Sequence, residues 1–307
     1  MSIQSATDEL LTIRDMLRFA VSRFGRAGLE FGQGTGDAVE EAVFLILESL
    51  HLPVDDVNPW ADARLTRNER EGLLALIDKR IKTRKPAAYL LNKAYMHGES
   101  FYVDERVLIP RSFIGELLFS DLVGGPEPNL ISNPEAVGSV LDLCTGSGCL
   151  AILAARVFPH ALVDGVDISA DALEVAERNI TEKGLDERIE LFCSDLFSGL
   201  GKRRYDLIIT NPPYVSEAEM KALPEEFRAE PALALAGGGE EGMAIVARIL
   251  EAAADHLTPE GGLMCELGMG RAAIETMFPE LPFLWLDTAD SQSEVFWISR
   301  DGLSALE

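Results

Sequence analysis

Val140-Leu141-Asp142-Leu143-Cys144-Thr145-Gly146-Ser147-Gly148 carries an apolar strand-like run into a turn with two glycines. Glycine lets the backbone come close to a ligand and take up positive φ. A turn at the carboxyl end of a first strand is where open α/β sheets bind nucleotides. The residues that follow repeat the pattern. Their spacing predicts strands over 139–143, 161–167, 188–193, 205–210, 261–267, 282–287 and 294–299, and helices over 149–157, 170–183, 240–257 and 270–278. Apolar strands alternating with helices predict an α/β fold, a parallel sheet covered on both faces. The last two strands leave no room for a helix between them. Asp290-Ser291-Gln292-Ser293 is a hairpin-sized link, so the final strand is expected to be antiparallel.

Toward the N-terminus the period changes. Leu10, Ile13, Leu17, Phe19 and Ala20, then Val43, Phe44, Ile46, Leu47 and Leu50, follow helical spacing. Between them Gly25–Gly36 holds five glycines and reads as a loop. Thr66-Arg67-Asn68-Glu69 reads as a capping box that opens a helix with Leu73, Leu74, Leu76, Ile77 and Ile81 on one face. That helix ends in Lys79-Arg80-Ile81-Lys82-Thr83-Arg84-Lys85, a basic run that either complements the helix dipole or meets RNA or an acidic partner. Ala94–Met96, Glu99–Val103 and Val107–Ile109 read as strands of a connector. Pro110-Arg111-Ser112 precedes a helix with Ile114, Leu117, Leu118 and Leu122, and Pro126–Pro134 reads as a flexible joint. The expected division is a helical substrate-recognition domain over 1–86, a β connector over 87–112 and a catalytic domain over 113–307.

Composition narrows the classes. With 47% hydrophobic and 25% charged residues over 307 positions, the chain can bury a full core. No apolar stretch approaches the roughly 20 residues of a membrane span, and no basic start leads into an apolar run, so a cytoplasmic protein is expected. Cys144, Cys149, Cys193 and Cys265 form no CxxC pair, and with four histidines no metal site is expected; buried free thiols are. Residues 1–95 carry 13 Lys and Arg against 14 Asp and Glu, and residues 96–307 carry 14 against 37, so nearly all of the net charge of −24 lies in the second part. Such a surface repels a nucleic-acid backbone and attracts a basic partner, or serves solubility alone.

The glycine turn lacks a full G-x-G-x-x-G cradle, and no lysine follows it, which excludes a P-loop. No Arg or Lys stands nearby in sequence to neutralise a pyrophosphate, which weighs against a nicotinamide dehydrogenase. Asp167 lies nineteen residues after Gly148 at the end of the next strand, where an acid can accept both hydroxyls of a ribose. The third strand ends Cys193-Ser194-Asp195-Leu196: Asp195 can take an adenine amino group and Leu196 can pack on the ring. Asp142, Asp167 and Asp195 at successive strand ends suit a positively charged nucleoside and suit a dinucleotide badly. Asp171 belongs to the first turn of its helix.

The fourth strand, Tyr205–Thr210, runs into Asn211-Pro212-Pro213-Tyr214. Proline fixes φ and donates no hydrogen bond, so the segment reads as a rigid ledge. The Asn211 side-chain oxygen and the Pro212 carbonyl can accept from the two N–H groups of a planar amide or amine, and Tyr214 can lie against its flat face. Asn and Pro also end strands as plain turns; the position after the fourth strand of a nucleoside-binding sheet favours chemistry. Downstream, Pro224–Arg228 and Glu230–Gly239 read as a long loop whose acids can meet a basic substrate and whose glycines would let it close. Arg111 and Glu116 either brace this region or cap and solvate the connector helix.

On these motifs the chain resembles the seven-stranded, Rossmann-like S-adenosylmethionine-dependent methyltransferases. With Asn211-Pro212-Pro213-Tyr214 added, it resembles the protein-(glutamine-N5) methyltransferases. Asp142–Cys149, and Leu108–Ser112 with Ile114-Gly115-Glu116-Leu117 behind it, look like the branch that methylates a glutamine on the third large-subunit ribosomal protein; the release-factor branch usually has glycine where Cys144 stands. The resemblance covers roughly residues 85–300. It implies S-adenosyl-L-methionine held by Thr145, Gly146, Ser147, Gly148, Asp167, Leu196 and Asn211, beside Asp142, Cys144 and Asp195. It places the glutamine on Asn211, Pro212, Pro213 and Tyr214, with Arg111 on the substrate side. The implied partner is a basic ribosomal protein, free or in an assembly intermediate, with no sequence-specific nucleic-acid binding. Cys144 must hold a negative φ or accept strain. The competing readings are a release-factor glutamine methyltransferase, an adenine-N6 nucleic-acid methyltransferase and an assembly factor that keeps cofactor binding as a relic.

Overall fold

The computed structural model describes residues 3–306. The chain forms two compact units: one holds the chain through Ala94 with Val103–Glu105 and Pro224–Ala229, the other Tyr95–Tyr102, Arg106–Leu223 and Glu230 onward.

The first unit is helical: α1 (Ile3–Glu9), α2 (Ile13–Ala27), α3 (Ala38–Ser49), α4 (Arg67–Thr83) and α5 (Ala87–Leu91). Local chemistry sets the helix ends. Thr12 with Asp15, and Thr66 with Glu69, form capping boxes, and Gly28 closes α2 at φ 56. Gly25 therefore lies inside α2, and the glycine-rich loop begins three residues later than its composition suggests. Met16, Ala20 and Phe24 of α2 pack with Leu45, Ile46 and Leu47 of α3 and Leu73, Leu74 and Ile77 of α4.

The basic run closing α4 is absorbed within this unit. Fully buried Arg80 donates through Nε to Glu41 at 2.6 Å and through a terminal nitrogen to the Arg84 carbonyl at 3.0 Å. Arg84 donates to Glu226 at 2.8 Å, and Gln33 donates to the Glu226 carbonyl at 2.9 Å. Lys82 pairs with Asp78 and Lys85 with Glu105. Intramolecular acids thus pair with Arg80, Lys82, Arg84 and Lys85.

The second unit opens with a two-stranded sheet, β1 (Ala94–Met96) and β2 (Glu99–Phe101), and a short helix α6 (Ile114–Leu118). Val107–Ile109 forms no strand, because the Ile109 N–H donates to the Glu230 carboxylate and not to a neighbouring backbone. Alternation then follows: β3 (Ser139–Leu143), α7 (Cys149–Val157), β4 (Leu162–Asp167), α8 (Ala170–Glu182), β5 (Ile189–Cys193), β6 (Tyr205–Thr210), α9 (Glu217–Ala222), α10 (Ala244–Ala253), β7 (Leu257–Glu266), α11 (Arg271–Met277), β8 (Leu284–Asp287), β9 (Gln292–Ser299) and α12 (Arg300–Leu303). The seven-stranded sheet has the order β5-β4-β3-β6-β7-β9-β8. Only β9 runs against its neighbours, pairing antiparallel with both β7 and β8. This is the expected α/β, Rossmann-like sheet with its last strand reversed. Leu141, Ile208, Leu263 and Phe296 lie in its core, each side chain contributing about 1.5–3 kcal/mol by burial.

The largest departures from the spacing lie at α10 and β7, and β9 begins at Gln292, inside the expected hairpin link. Helix α10 starts at Ala244, because Gly238, Gly239 and Gly242 all take positive φ ahead of it, and β7 starts at Leu257. Helix α9, for which no element was expected, is opened by a Ser216–Glu219 capping box like the one at Thr66. Among the described residues no helix is long and apolar enough to cross a membrane. The four cysteines are free; Cys265 is buried and Cys144 and Cys149 partly so, but Cys193 is exposed, contrary to the expectation of buried thiols throughout.

Candidate active site

The order of the sheet reverses between β3 and β6, and open α/β sheets bind ligands in the crevice such a switch creates. A cleft of about 220 Å³ lies there, at the carboxyl ends of the strands. Cys144 and Gly146 after β3, Asp167 and Ile168 after β4, Asp195 and Leu196 after β5, and Asn211 and Pro213 after β6 line it, with Leu108 and Leu233 adding apolar wall.

The turn after β3 is built from beneath. One oxygen of the fully buried Asp142 carboxyl accepts from the Thr145 hydroxyl at 2.6 Å and from the Ala151 N–H at 2.9 Å. The other oxygen has no hydrogen-bond partner among the described residues. Burial pushes this carboxyl up to about 7 against the pull of those two bonds. Asp142 thus braces the turn and does not reach the cleft. Thr145 and Ser147 are also buried, and the Ser147 carbonyl accepts from the Asn179 amide at 2.9 Å. Gly148 has a packing role: at φ 77, a Cβ there would stand 3.2 Å from the Cβ of Ala176. Of the turn residues expected around the cofactor, Cys144 and Gly146 face the cleft. Cys144 sits at φ 58, so it accepts the strain, worth roughly 1–2 kcal/mol. Burial pushes its thiol up, which keeps it neutral.

Asp167 is held from both sides. One carboxylate oxygen accepts from the Gly146 N–H and the other from the Ser169 N–H, both at 2.9 Å. Each oxygen keeps a second acceptor site. Burial raises this carboxyl and the backbone bonds oppose it, with a net upward shift. A Cβ at Gly146 would meet nothing nearer than the Cys144 carbonyl at 4.0 Å, so the missing side chain leaves open space above the turn. Acceptors for a diol, a bare backbone face and apolar Ile168 and Leu196 fit a nucleoside. Asp195 lines the cleft, and one of its carboxylate oxygens takes a 2.8 Å bond from Arg248 on α10, both side chains being about half exposed. Arg106 also lines the cleft and pairs with Glu174. Two arginines therefore stand at a site where the sequence showed none nearby, each matched by an acid.

The ledge follows β6. Thr210 donates its hydroxyl to the Leu143 carbonyl at 2.9 Å, tying the ends of β6 and β3 together. Asn211 and Pro213 face the cleft, while the Pro212 ring is buried. Among the described residues neither the Asn211 side chain nor the Pro212 carbonyl has a hydrogen-bond partner. Tyr214 is turned away from the cleft. Its ring lies over Gly268, where a Cβ would come within 2.7 Å of it, and its phenol is pushed up by burial and by the nearby Glu266 charge.

The loop beyond returns to the ledge: Val215 donates to the Leu235 carbonyl at 2.8 Å and Gly237 to the Val215 carbonyl at 3.0 Å. A Cβ on Gly237 would fall 2.6 Å from the Tyr214 Cα, and one on Gly242 2.2 Å from the Tyr214 carbonyl oxygen. These glycines serve close packing against the ledge, where the sequence suggested mobility. Arg111 makes a two-pronged bond to Glu230, at 2.6 and 2.9 Å, so it is engaged in holding the loop and not placed on the cleft as a substrate contact. Glu116 accepts from the Ala289 N–H. Glu230, read among the loop acids that can meet a basic substrate, is taken up by Arg111; Glu266 and Arg248 were missed. For Glu266 a signal existed, an acid ending the apolar run Leu263-Met264-Cys265, as Asp167 ends its own strand. Among the described residues no group of His, Cys, Asp and Glu could hold a metal ion.

Comparison with known proteins agrees with this geometry. A family model described as methyltransferase small domain matches residues 129–248. The chain is 60% identical over 296 residues to a Bradyrhizobium diazoefficiens protein named ribosomal protein uL3 glutamine methyltransferase, covering 96% of this chain and 92% of that one. Proteins of the same name from Burkholderia pseudomallei (51% identical, 96% of each chain) and Neisseria gonorrhoeae (51% identical, 97% of each chain) are similar over the same extent. With identity of this order over nearly the whole length, the chain belongs to the ribosomal protein uL3 glutamine methyltransferase family.

Proposed function

We propose that this chain transfers a methyl group from S-adenosyl-L-methionine to the side-chain amide nitrogen of a glutamine in ribosomal protein uL3. The observation that carries the reading is the Asn211 side chain at the cleft, which, like the adjoining Pro212 carbonyl, has no hydrogen-bond partner among the described residues. The substrate's name comes from the relatives.

A glutamine amide nitrogen is a poor nucleophile, because its lone pair is delocalised into the carbonyl. Position is the available lever. Two acceptors directed at the two N–H groups hold the nitrogen in place and let it pyramidalise, and correct orientation of reactants lowers a barrier by about 7–11 kcal/mol. Positive charge growing on the nitrogen strengthens both bonds in the transition state, which is differential binding. When bound, the cofactor supplies an electrophilic methyl group on a sulfonium. Asp167 suits its ribose hydroxyls, the Gly146 turn its open face, and Ile168 and Leu196 its adenine ring. The amide proton leaves to water after transfer, so the site requires no general base.

In this reading the helical unit recognises the substrate protein, and the protein works in the cytoplasm on free uL3 or on assembly intermediates. The acid excess after residue 95 favours a basic protein over nucleic acid. The test is purified chain with methyl-labelled cofactor, offered uL3, release factors and nucleic acid in parallel, followed by peptide mass spectrometry. A methylated glutamine in uL3 is expected. Label confined to release factors, or to adenine in nucleic acid, refutes the substrate.

A further inference from the structure

We propose that Glu266 is a positioning residue for methyl transfer: its buried carboxyl holds the Ser112 connector and Tyr214 in register and so fixes the Asn211–Pro212 ledge. The proposal rests on the reading of the ledge as the seat of an amide nitrogen.

Glu266 ends β7 and is 2% exposed. One of its oxygens accepts from the Ser112 hydroxyl at 2.6 Å and from the Phe113 N–H at 2.9 Å. Two residues beyond Glu266, Gly268 seats the Tyr214 ring, where a Cβ would come within 2.7 Å of it, and the carboxylate charge adds to the upward push on the phenol. Tyr214 has little room to move. Gly268 lies against its ring, and Gly237 and Gly242 lie against its backbone at distances that admit no Cβ. Between Tyr214 and Asn211 come two prolines, each with φ fixed by its ring, so the connecting backbone has few soft torsions. A displacement of Tyr214 therefore carries through to the Pro212 carbonyl and the Asn211 side chain.

The groups facing Glu266 make its charge state adjustable. Burial first, then Glu294 on β9, pushes the carboxyl up to about 7, opposed by Ser112, Phe113 and Arg111. Cys265, its neighbour on the same strand, is a buried thiol pushed up by burial and stays neutral. Near neutral pH, Glu266 passes from an acid able to donate one hydrogen bond to a carboxylate that only accepts. The charge felt by the Tyr214 phenol changes accordingly.

The test uses the full chain with uL3 and saturating cofactor. E266Q keeps an oxygen for Ser112 and Phe113 and cannot titrate. It is expected to lower kcat about tenfold, the effect of one hydrogen bond in the transition state, with the uL3 KM and cofactor Kd within about twofold of wild type. It should also abolish a limb near pH 7 in the kcat profile. Y214F, which keeps the ring over Gly268, should cost a similar factor, and E266Q/Y214F should be no worse than the poorer single variant. Unchanged kcat and pH profile in E266Q, multiplicative losses in the double variant, or a kcat loss that tracks cofactor Kd would each overturn the proposal. Failure of wild type to label uL3 refutes the substrate reading instead. The Glu266–Tyr214 coupling is then read without turnover from melting temperatures of the same four proteins, where strictly additive shifts overturn it.

Discussion

Replacing Asp167 with Asn tests the nucleoside site most directly. Each Asp167 oxygen accepts one backbone N–H, from Gly146 and from Ser169, at 2.9 Å. An amide offers only one oxygen. Whichever way it turns, its NH₂ faces one of these donors, and the partly buried N–H left unpaired costs about 1–3 kcal/mol in stability. The variant also loses a charged acceptor for a ribose hydroxyl, worth about 1.5–3 kcal/mol. Burial raises the Asp167 carboxyl, so neutralising it returns some desolvation energy and favours the lower part of the range. The expected loss of cofactor affinity is about 10- to 150-fold. Titration calorimetry with S-adenosyl-L-homocysteine measures it, with D171N as the control, because Asp171 is exposed in the first turn of α8. Binding by D167N within twofold of wild type, or an equal loss in D171N, refutes the assignment.

Asn211→Ala removes one of the two vacant acceptors and is expected to lower single-turnover methylation of uL3 about 100-fold or more, the scale of a misplaced reactant; a loss below tenfold would contradict the ledge. Gly237→Ala should lower the melting temperature sharply, since its Cβ would stand 1.9 Å from the Gly242 carbonyl, whereas Gly239→Ala, whose Cβ would meet nothing closer than 3.8 Å, should show only the positive-φ penalty of about 1–2 kcal/mol. Equal melting shifts in the two would remove the packing explanation. Asp142 has a folded-state pKa raised to about 7 from an ordinary 3.8, so the folded state holds the proton longer than the unfolded chain; its contribution is complete below about pH 4 and is lost as pH rises toward and through 7. Asp142→Asn should flatten the decline of stability between those limits, and an unchanged slope in urea titrations would show that Asp142 is not its source.

The sheet was legible because its signals are local. Apolar runs of strand length, glycines at the turn and the Thr66–Glu69 capping box each sit within a few residues, and the boundaries they imply lie close to those observed. The ledge was legible for the same reason, since two prolines after a buried strand constrain the backbone whatever surrounds it. Side chains paired over long separations were not. Arg111 meets Glu230 119 positions away, Ser112 meets Glu266 154 away and Asp195 meets Arg248 53 away. No periodicity encodes such partners, so Arg111 read as a substrate contact as readily as the brace it is, and the arginine beside Asp195 went unread. The glycines at 237–242 misled differently. Their lack of side chains was plain, but whether that serves motion or close approach depends on Tyr214, which only the folded chain brings there.

In the proposed reading, the same long-range pairs bear on how a site without a base can work. Ile109–Phe113 is gripped by two buried carboxylates, Glu230 taking the Ile109 N–H and the Arg111 guanidinium, Glu266 taking Ser112 and Phe113. Glu230 lies in the loop that returns to Val215, and Glu266 stands two residues before Gly268, against which the Tyr214 ring packs. Part of the acid excess that suggests a basic partner is therefore structural, and any steering of uL3 rests on the exposed remainder. Leaving a buried acid unsatisfied costs about as much as the hydrogen bonds it makes, so each of these groups resists displacement of the segment it holds. Chemistry that depends on the angle of two acceptors, and not on proton abstraction, needs that resistance more than it needs a strong base. Glu230 and Glu266 accordingly act as braces, while Asp167 at the cleft keeps acceptor sites for a ligand.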